Sequence, residues 1–317
     1  VRNIRYFFET ALVAFAAWLL PRLPRGVIMV LARTVGRLAY WLDVRGRRTA
    51  RQNLRAAFRG ELSHKEVRRI SVGSYQNFAR TFLDLFWSQA LTRDNWQKYV
   101  SIRMDDPEAE AKARETGAVW VTPHFGNFEF VSLIWGFRGV PFTVVAQDFK
   151  NESLTAIFKK LRAHSGHTVI SQENAMLKLV KALKRQGHAG LLTDLNIKPG
   201  RAATVIECFG MKTCVPTLHV ELAKRLGLSI ITGVCQPAPD GTYQVQIFEA
   251  IRPQPEDDSQ MLTQRVWNSF EKAIRAYPEG WLWMYKHWRY LPGAERDPAY
   301  PDYANRYEPF RKMVEGV

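Results

Sequence analysis

An imidazole and a carboxylate stand five residues apart in His124-Phe125-Gly126-Asn127-Phe128-Glu129. A histidine can take up a proton near neutral pH, because its ordinary pKa of about 6.5 lies close to the working range. A carboxylate bonded to its other ring nitrogen would fix the tautomer and stabilise the imidazolium once formed. That is the logic of a Ser-His-Asp triad with the serine removed, the nucleophile then being a substrate hydroxyl. Gly126 and Asn127, at the mouth of a helix, would let backbone N–H groups face a developing negative charge. The spacing alone is also compatible with an ordinary hydrogen-bonded histidine.

The elements that must position these residues can be read on either side of them. Ala118–Thr122 is a short apolar run that enters a turn through Pro123 and Gly126, as a buried strand does. Apolar residues at helical spacing follow over Glu129–Phe137. The histidine therefore sits between the C-terminal end of a strand and a helix N-terminus, the side of an α/β sheet on which ligands bind. From about residue 115 the chain alternates β-like and helical segments. Further strands are expected at Phe142–Ala146, His167–Ile170, Ala189–Thr193, Thr204–Cys208, Ile230–Val234 and Tyr243–Phe248. Helices are expected at Ser153–His164, Ala175–Arg185, Thr217–Leu226 and Ser259–Tyr277. The alternation implies an α/β fold with a mixed, largely parallel central sheet flanked by helices. From Leu291 onward the chain is rich in Pro, Tyr, Arg and acids without periodicity, and reads as an extended wrap or a loose end.

Upstream of this region the character is different. Residues 1–60 hold 12 Arg, no Lys, and only Glu9 and Asp43 as acids, a net +10 of the chain's formal +15. Such a segment seeks an anionic surface. Tyr6 to Leu20 is apolar apart from Glu9 and Thr10. At fifteen residues it is shorter than the roughly 20 that cross a bilayer as a helix, so it could span or lie on a membrane. Val27–Leu42 is a second apolar segment, with Arg33 and Arg37 four residues apart. Trp18, Tyr40 and Trp41 near the segment ends, with arginines around them, suit interfacial anchoring. Ser63, with Glu66 three residues on, caps a helix whose apolar stripe runs from Val67 to Phe86. The organisation is thus 1–60 membrane-associating helices and an Arg-rich segment, 61–290 a catalytic domain, and 291–317 a tail, in one integrated unit.

Several classes are disfavoured. No G-x-S-x-G elbow, Walker loop or G-x-G-x-x-G is present, and the histidines show no metal-ligand spacing, so neither a metal nor a bound cofactor is expected. Cys208, Cys214 and Cys235 form no C-x-x-C pair and read as small buried residues in a reducing compartment. A basic nucleic-acid-binding protein is the alternative from charge alone. No helix-turn-helix, zinc-finger or RNP pattern supports it, and the arginines are interleaved with long apolar runs, so no nucleic-acid partner is expected. Trp281, Trp283 and Trp288 fit an interfacial belt and core packing equally well.

The residues around His124 resemble the H-x4-D/E motif of glycerolipid and lipid A acyltransferases. The likeness is to the HxGNWE-type version of the late lipid A (lauroyl/myristoyl) acyltransferase family. Asn53-Leu54 after the Arg run, Phe158–Gly166 with Arg162, and Leu192-Thr193-Asp194 before Gly200 fall in that family's order. So do Cys208-Phe209-Gly210 and Pro278-Glu279-Gly280-Trp281-Leu282-Trp283, so that the resemblance spans roughly residues 10–290. It implies His124 as the base that deprotonates an acceptor hydroxyl, which attacks the thioester of an acyl carrier protein or coenzyme A donor. Glu129 is implied as the partner orienting His124. Arg162, Asp194, Gly126 and Asn127 make up the expected substrate-binding set, Arg162 toward a phosphate and Asp194 in support of the site. The implied acceptor is a lipid A precursor or another glycolipid, aminolipid or lysophospholipid. The implied location is the cytoplasmic face of a bacterial inner membrane. Leu195 stands where the family has Gln and Val215 where Thr is common, which bears on acceptor and chain length rather than on reaction type.

Overall fold

A computed structural model describes the backbone of residues 2–316 and the side chains of residues 4–316. Four helices open the chain: α1 (Arg2–Leu19), α2 (Arg25–Leu42), α3 (Val44–Ala57) and α4 (His64–Trp87). A 3-10 turn at Leu20–Arg22 continues α1, so Ile4–Arg22 forms one 19-residue stretch. It is long and apolar enough to cross a membrane by length and composition, and only 6% of it is buried in the protein. The apolar run thus extends beyond the fifteen residues read from the sequence. Phe7, Phe8, Leu12, Phe15 and Trp18 are all exposed on it. An apolar helix with so little protein packed on it suits an apolar solvent. By contrast α2 has two faces. Ile28, Ala32, Gly36 and Tyr40, four residues apart, are buried, while Val30, Leu38, Trp41 and Leu42 stay exposed.

The rest alternates strand and helix: β1 (Val100–Met104), α5 (Pro107–Thr116), β2 (Ala118–Thr122), α6 (Phe128–Phe137), β3 (Phe142–Ala146), α7 (Glu152–Ala163), β4 (Thr168–Ser171), α8 (Ala175–Leu183) and β5 (His188–Leu192). The hairpin β6 (Ala203–Cys208) and β7 (Met211–Pro216) follows. Then come α9 (Leu218–Leu226), β8 (Ile230–Pro237), β9 (Tyr243–Ile247) and α10 (Ser259–Ala276). The tail holds β10 (Tyr290–Leu291), β11 (Asn305–Arg306) and α11 (Glu308–Glu315).

Seven strands form the central sheet in the order β1-β9-β8-β2-β5-β3-β4. Neighbouring strands pair in parallel except β8 with β9. The largely parallel sheet with helices on it is therefore observed. All five residues of β2 are buried, which explains its unbroken apolar run: a parallel strand covered on both faces has no solvent side to alternate with. Val119 and Val121 join one core, with α9, α10 and Trp281, whereas Ala118 and Trp120 join the other, with α6 and Trp135.

Two sequence expectations are corrected, and two alternatives left open, for the tail and for the tryptophans, are decided. Thr204–Cys208 does form a strand, but it pairs with β7 in a separate antiparallel hairpin. The turn at Phe209-Gly210 has positive φ at both residues, 52° and 73°, as a type I′ two-residue hairpin loop requires. β1 takes a place in the main sheet although it lies upstream of the region read as alternating; its Val-Ser-Ile-Arg-Met pattern is period-two and carries that signal. The tail is docked: Phe310 is fully buried, Tyr290 stacks on Tyr307, and the Tyr303 hydroxyl donates to the Asn53 side chain. Trp281, Trp283 and Trp288 are at most 1% exposed, so they are core residues and not an interfacial belt.

Candidate active site

The turn after β2 is fixed from three directions. Gly126 N–H donates to the Gly280 carbonyl at 2.9 Å, and Asn127 N–H donates to the Cys235 carbonyl of β8 at 2.8 Å. From α4, the Asn77 amide and the Thr81 hydroxyl donate to the Gly126 carbonyl at 3.0 and 2.8 Å. Gly126 has φ +57°, and a Cβ built there would lie 1.8 Å from the Cys235 carbonyl oxygen. Only glycine fits this approach. Asn127 caps α6, its side-chain oxygen accepting from Phe130 N–H at 3.1 Å, as a good N-cap residue does.

Within this frame His124 meets Asp194. The imidazole Nδ1 lies 2.7 Å from Asp194 Oδ1, and the His124 backbone N–H donates to Oδ2 at 3.0 Å. Trp281 Nε1 donates to the same Oδ2 at 2.8 Å. The pairing follows from strand register. β2 and β5 are adjacent and parallel with Thr122 opposite Leu192, and His124 and Asp194 each stand two residues beyond. Asp194 is buried, and the His124 side chain retains 16% of its exposure. Burial by itself would lower the His124 pKa. The Asp194 charge and hydrogen bond, with a smaller contribution from Glu129, outweigh it and hold the imidazole above the usual 6.5. Burial likewise pushes Asp194 up, but His124 and the Trp281 indole keep its carboxyl below the ordinary value. An ionised Asp194 accepts from Nδ1–H, which fixes the tautomer that leaves Nε2 free to take a proton.

The orienting contact expected from Glu129 is not made. Glu129, the second residue of α6, points to α7, where Arg162 Nε lies 3.1 Å from both carboxylate oxygens and Nη2 lies 2.7 Å from Oε1. The helix turn carries Glu129 away from Nδ1, whose acceptor is already Asp194. Burial would lower the Arg162 pKa, and Glu129 more than offsets it. Gly126 and Asn127 are corrected as well. Their N–H groups are taken by Gly280 and Cys235, and the Asn127 side chain is fully buried, so these N–H groups do not face the site. Among the described contacts, no acceptor is present for the N–H groups of Phe128 and Glu129 at this helix end. Both Asp194 oxygens are engaged within the protein, Oδ1 by His124 and Oδ2 by the His124 backbone and Trp281.

Two residues near the site were missed. Trp281 was read only as an aromatic, although its indole N–H is a donor that a buried carboxylate needs. Asp84, wholly buried in α4, was absorbed into an apolar stripe. A carboxylate between Leu83 and Leu85 was the available signal, since buried acids require partners. His167, His188 and His287 are pushed by burial to about 4 and His219 to about 3; they are neutral residues of the interior. Among the described residues no group of His, Cys, Asp or Glu side chains is arranged to hold a metal ion.

Comparison with known proteins matches residues 1–290 to the model of the bacterial lipid A biosynthesis acyltransferases. The lipid A biosynthesis lauroyltransferase of Escherichia coli K12 is 22% identical over 282 residues, 87% of this chain and 89% of that protein. The lipid A biosynthesis palmitoleoyltransferase of the same organism is 22% identical over 284 residues, covering 88% and 90%. A phosphatidylinositol mannoside acyltransferase of Mycolicibacterium smegmatis is 24% identical over 220 residues, covering 68% and 71%.

Proposed function

The chain belongs to the bacterial lipid A biosynthesis acyltransferase family, and from that premise we propose that it moves a fatty acyl group from a thioester donor to a hydroxyl of a glycolipid. The observation that carries the mechanism is the His124–Asp194 pair at 2.7 Å. His124 Nε2 takes the proton of the acceptor hydroxyl as that oxygen attacks the thioester carbonyl. Asp194 stabilises the resulting imidazolium by accepting from Nδ1–H. The tetrahedral adduct collapses, the carbon–sulfur bond breaks, and the leaving thiolate takes the proton back from His124. The products are an ester and a free thiol, with no covalent acyl-enzyme. The open N–H groups of Phe128 and Glu129, at the positive end of α6, are suited to the adduct's negative oxygen.

Arg162 is the basic group nearest the dyad's carboxylate neighbour Glu129. Its Nε–Nη2 edge is taken by Glu129, which leaves Nη1 for a phosphate of donor or acceptor. The donor is an acyl carrier protein or coenzyme A thioester; the chain's net charge of +15 suits an acidic carrier. The names of the relatives support a lipid A precursor as acceptor, with a mannosylated phosphoinositide as the second reading. Exposed apolar side chains on α1 and α2, followed by the arginines of α3, support operation at an anionic membrane surface. In a bacterium with a lipid A layer that surface is the cytoplasmic face of the inner membrane.

Mass spectrometry of membrane lipids from cells with and without the gene names acceptor and acyl chain together. The expected result is a glycolipid lacking one acyl chain in the deletion, restored by the wild-type gene and not by His124→Ala. Full restoration by His124→Ala would overturn the mechanism.

A further inference from the structure

A second carboxylate, Asp84, gathers four partners in the interior beside the catalytic turn. Arg25 approaches it two-pronged from the start of α2, with Nη2 3.0 Å from Oδ2 and Nη1 on Oδ1. The Tyr243 hydroxyl of β9 donates to Oδ2. Arg80 Nε lies 3.8 Å from Oδ2. The fourth partner is Asn127, whose side-chain amide donates to Oδ2 at 3.2 Å while its oxygen caps α6. Arg25 and Arg80 also hold the turn between β8 and β9, through the carbonyls of Gly241 and Thr242 at 3.0 and 3.1 Å. Both guanidiniums lie over the Tyr243 ring. Asp84 is fully buried and the Arg25 side chain is 12% exposed.

Two cations facing one buried carboxylate are a poor way to stabilise a core that apolar side chains could fill. What such a cluster does well is hold its members in one arrangement. Here the members are α2, α4, the β8–β9 turn and the residue that begins the catalytic helix. We propose that Asp84 and Arg25 are positioning residues: the chain Arg25–Asp84–Asn127 sets the placement of the His124 turn and makes it depend on how α2 is seated. Neither residue touches substrate. The inference rests on the reading of His124 as the base.

Arg25→Lys keeps the charge and loses the two-pronged contact. Asn127→Ser keeps a cap for Phe130 N–H and cannot reach Asp84. No hydrogen bond joins Arg25 to Asn127; both bond Asp84, which is the shortest route between them. Each single variant is expected to lower kcat about tenfold with KM within about twofold, the scale of a small misplacement of the base. The double variant is expected to be no slower than the worse single one. Hydrogen–deuterium exchange of segment 123–130 should rise about tenfold in Arg25→Lys, with the hairpin 203–216 unchanged, as local loosening requires. Independent losses that multiply to about a hundredfold, or unaltered exchange at 123–130 in Arg25→Lys, would overturn the proposal. If Arg25→Lys does not fold, Tyr243→Phe, which removes one donor to the same carboxylate, is read by the same two measurements. If the wild-type protein transfers no acyl group, the functional reading falls, and the exchange measurement still decides this one.

Discussion

Two ion pairs sit at the ends of one six-residue turn, and they differ in nearly every respect. His124–Asp194 joins the ends of two adjacent parallel strands and shares its carboxylate with Trp281. Glu129–Arg162 joins two helices, and its side chains keep 12% and 25% of their exposure. The first pair contains an imidazole held above its usual 6.5 by the Asp194 charge; the second joins a carboxylate to a guanidinium. A motif written as one unit in the sequence is therefore two pairs in space: an imidazole–carboxylate pair, and a carboxylate–guanidinium clamp beside it. Damage to the first should act on the chemical step and its pH dependence, and damage to the second on binding.

The largest effect is expected from His124→Ala: a fall in kcat of about 10³-fold, within the range for loss of a general base, read as initial rate of acyl transfer at saturating donor. Asp194→Asn comes next, with kcat lower by about 10²-fold. It also carries a pH signature. In the proposed mechanism the unprotonated imidazole is the active form, and its pKa is held above 6.5, so kcat/KM in the wild type should rise with pH through a limb above that value. With the Asp194 charge gone, burial dominates and the limb should move to lower pH. A limb that stays in place would separate Asp194 from the proton carrier.

Arg162→Ala is expected to lower kcat/KM by about tenfold, chiefly through KM, in line with loss of a charge-assisted contact worth about 1.5 kcal/mol. A kcat loss as large as that of Asp194→Asn would erase the distinction between the pairs. Glu129→Gln, which frees the Arg162 fork while keeping its shape, should show a smaller change of the same kind. The smallest effect on rate is expected from Trp281→Phe, about fivefold. It leaves an Asp194 oxygen without its indole donor, at a stability cost of about 2 kcal/mol for a hydrogen bond to a buried charge, visible in thermal unfolding.

Much of this was legible in the residues. The strand at 118–122 and the helix after it were readable because a covered parallel strand is a short apolar run and α6 is apolar at helical spacing. Ser63 and Glu66 form the capping box their spacing announced, with Ser63 N–H donating to Glu66 Oε2 at 2.8 Å. The exposed apolar faces of α1 and α2 were readable because few polar residues interrupt either run, Glu9 and Thr10 within Tyr6–Leu20 and Arg33, Thr34 and Arg37 within Val27–Leu42. The roles of Gly126 and Asn127 were misread for a specific reason. Their N–H groups are satisfied by Gly280 and Cys235, residues more than a hundred positions away, and local sequence holds no record of such partners. Asp84 escaped for the same reason, since three of its partners, Arg25, Asn127 and Tyr243, come from other elements.

The sequence by itself determined that a histidine would stand where a parallel strand meets a helix, that the N-terminal helices would show apolar and basic surface, and which family the chain resembles. Each of these depends on the types of residues close together in the chain. Tertiary structure alone decided which carboxylate the histidine uses. Glu129 is five residues away and belongs to Arg162; Asp194 is seventy residues away and lies at hydrogen-bonding distance. The reason is the register of β2 against β5: it sets Thr122 opposite Leu192 and so brings the two residues beyond them level.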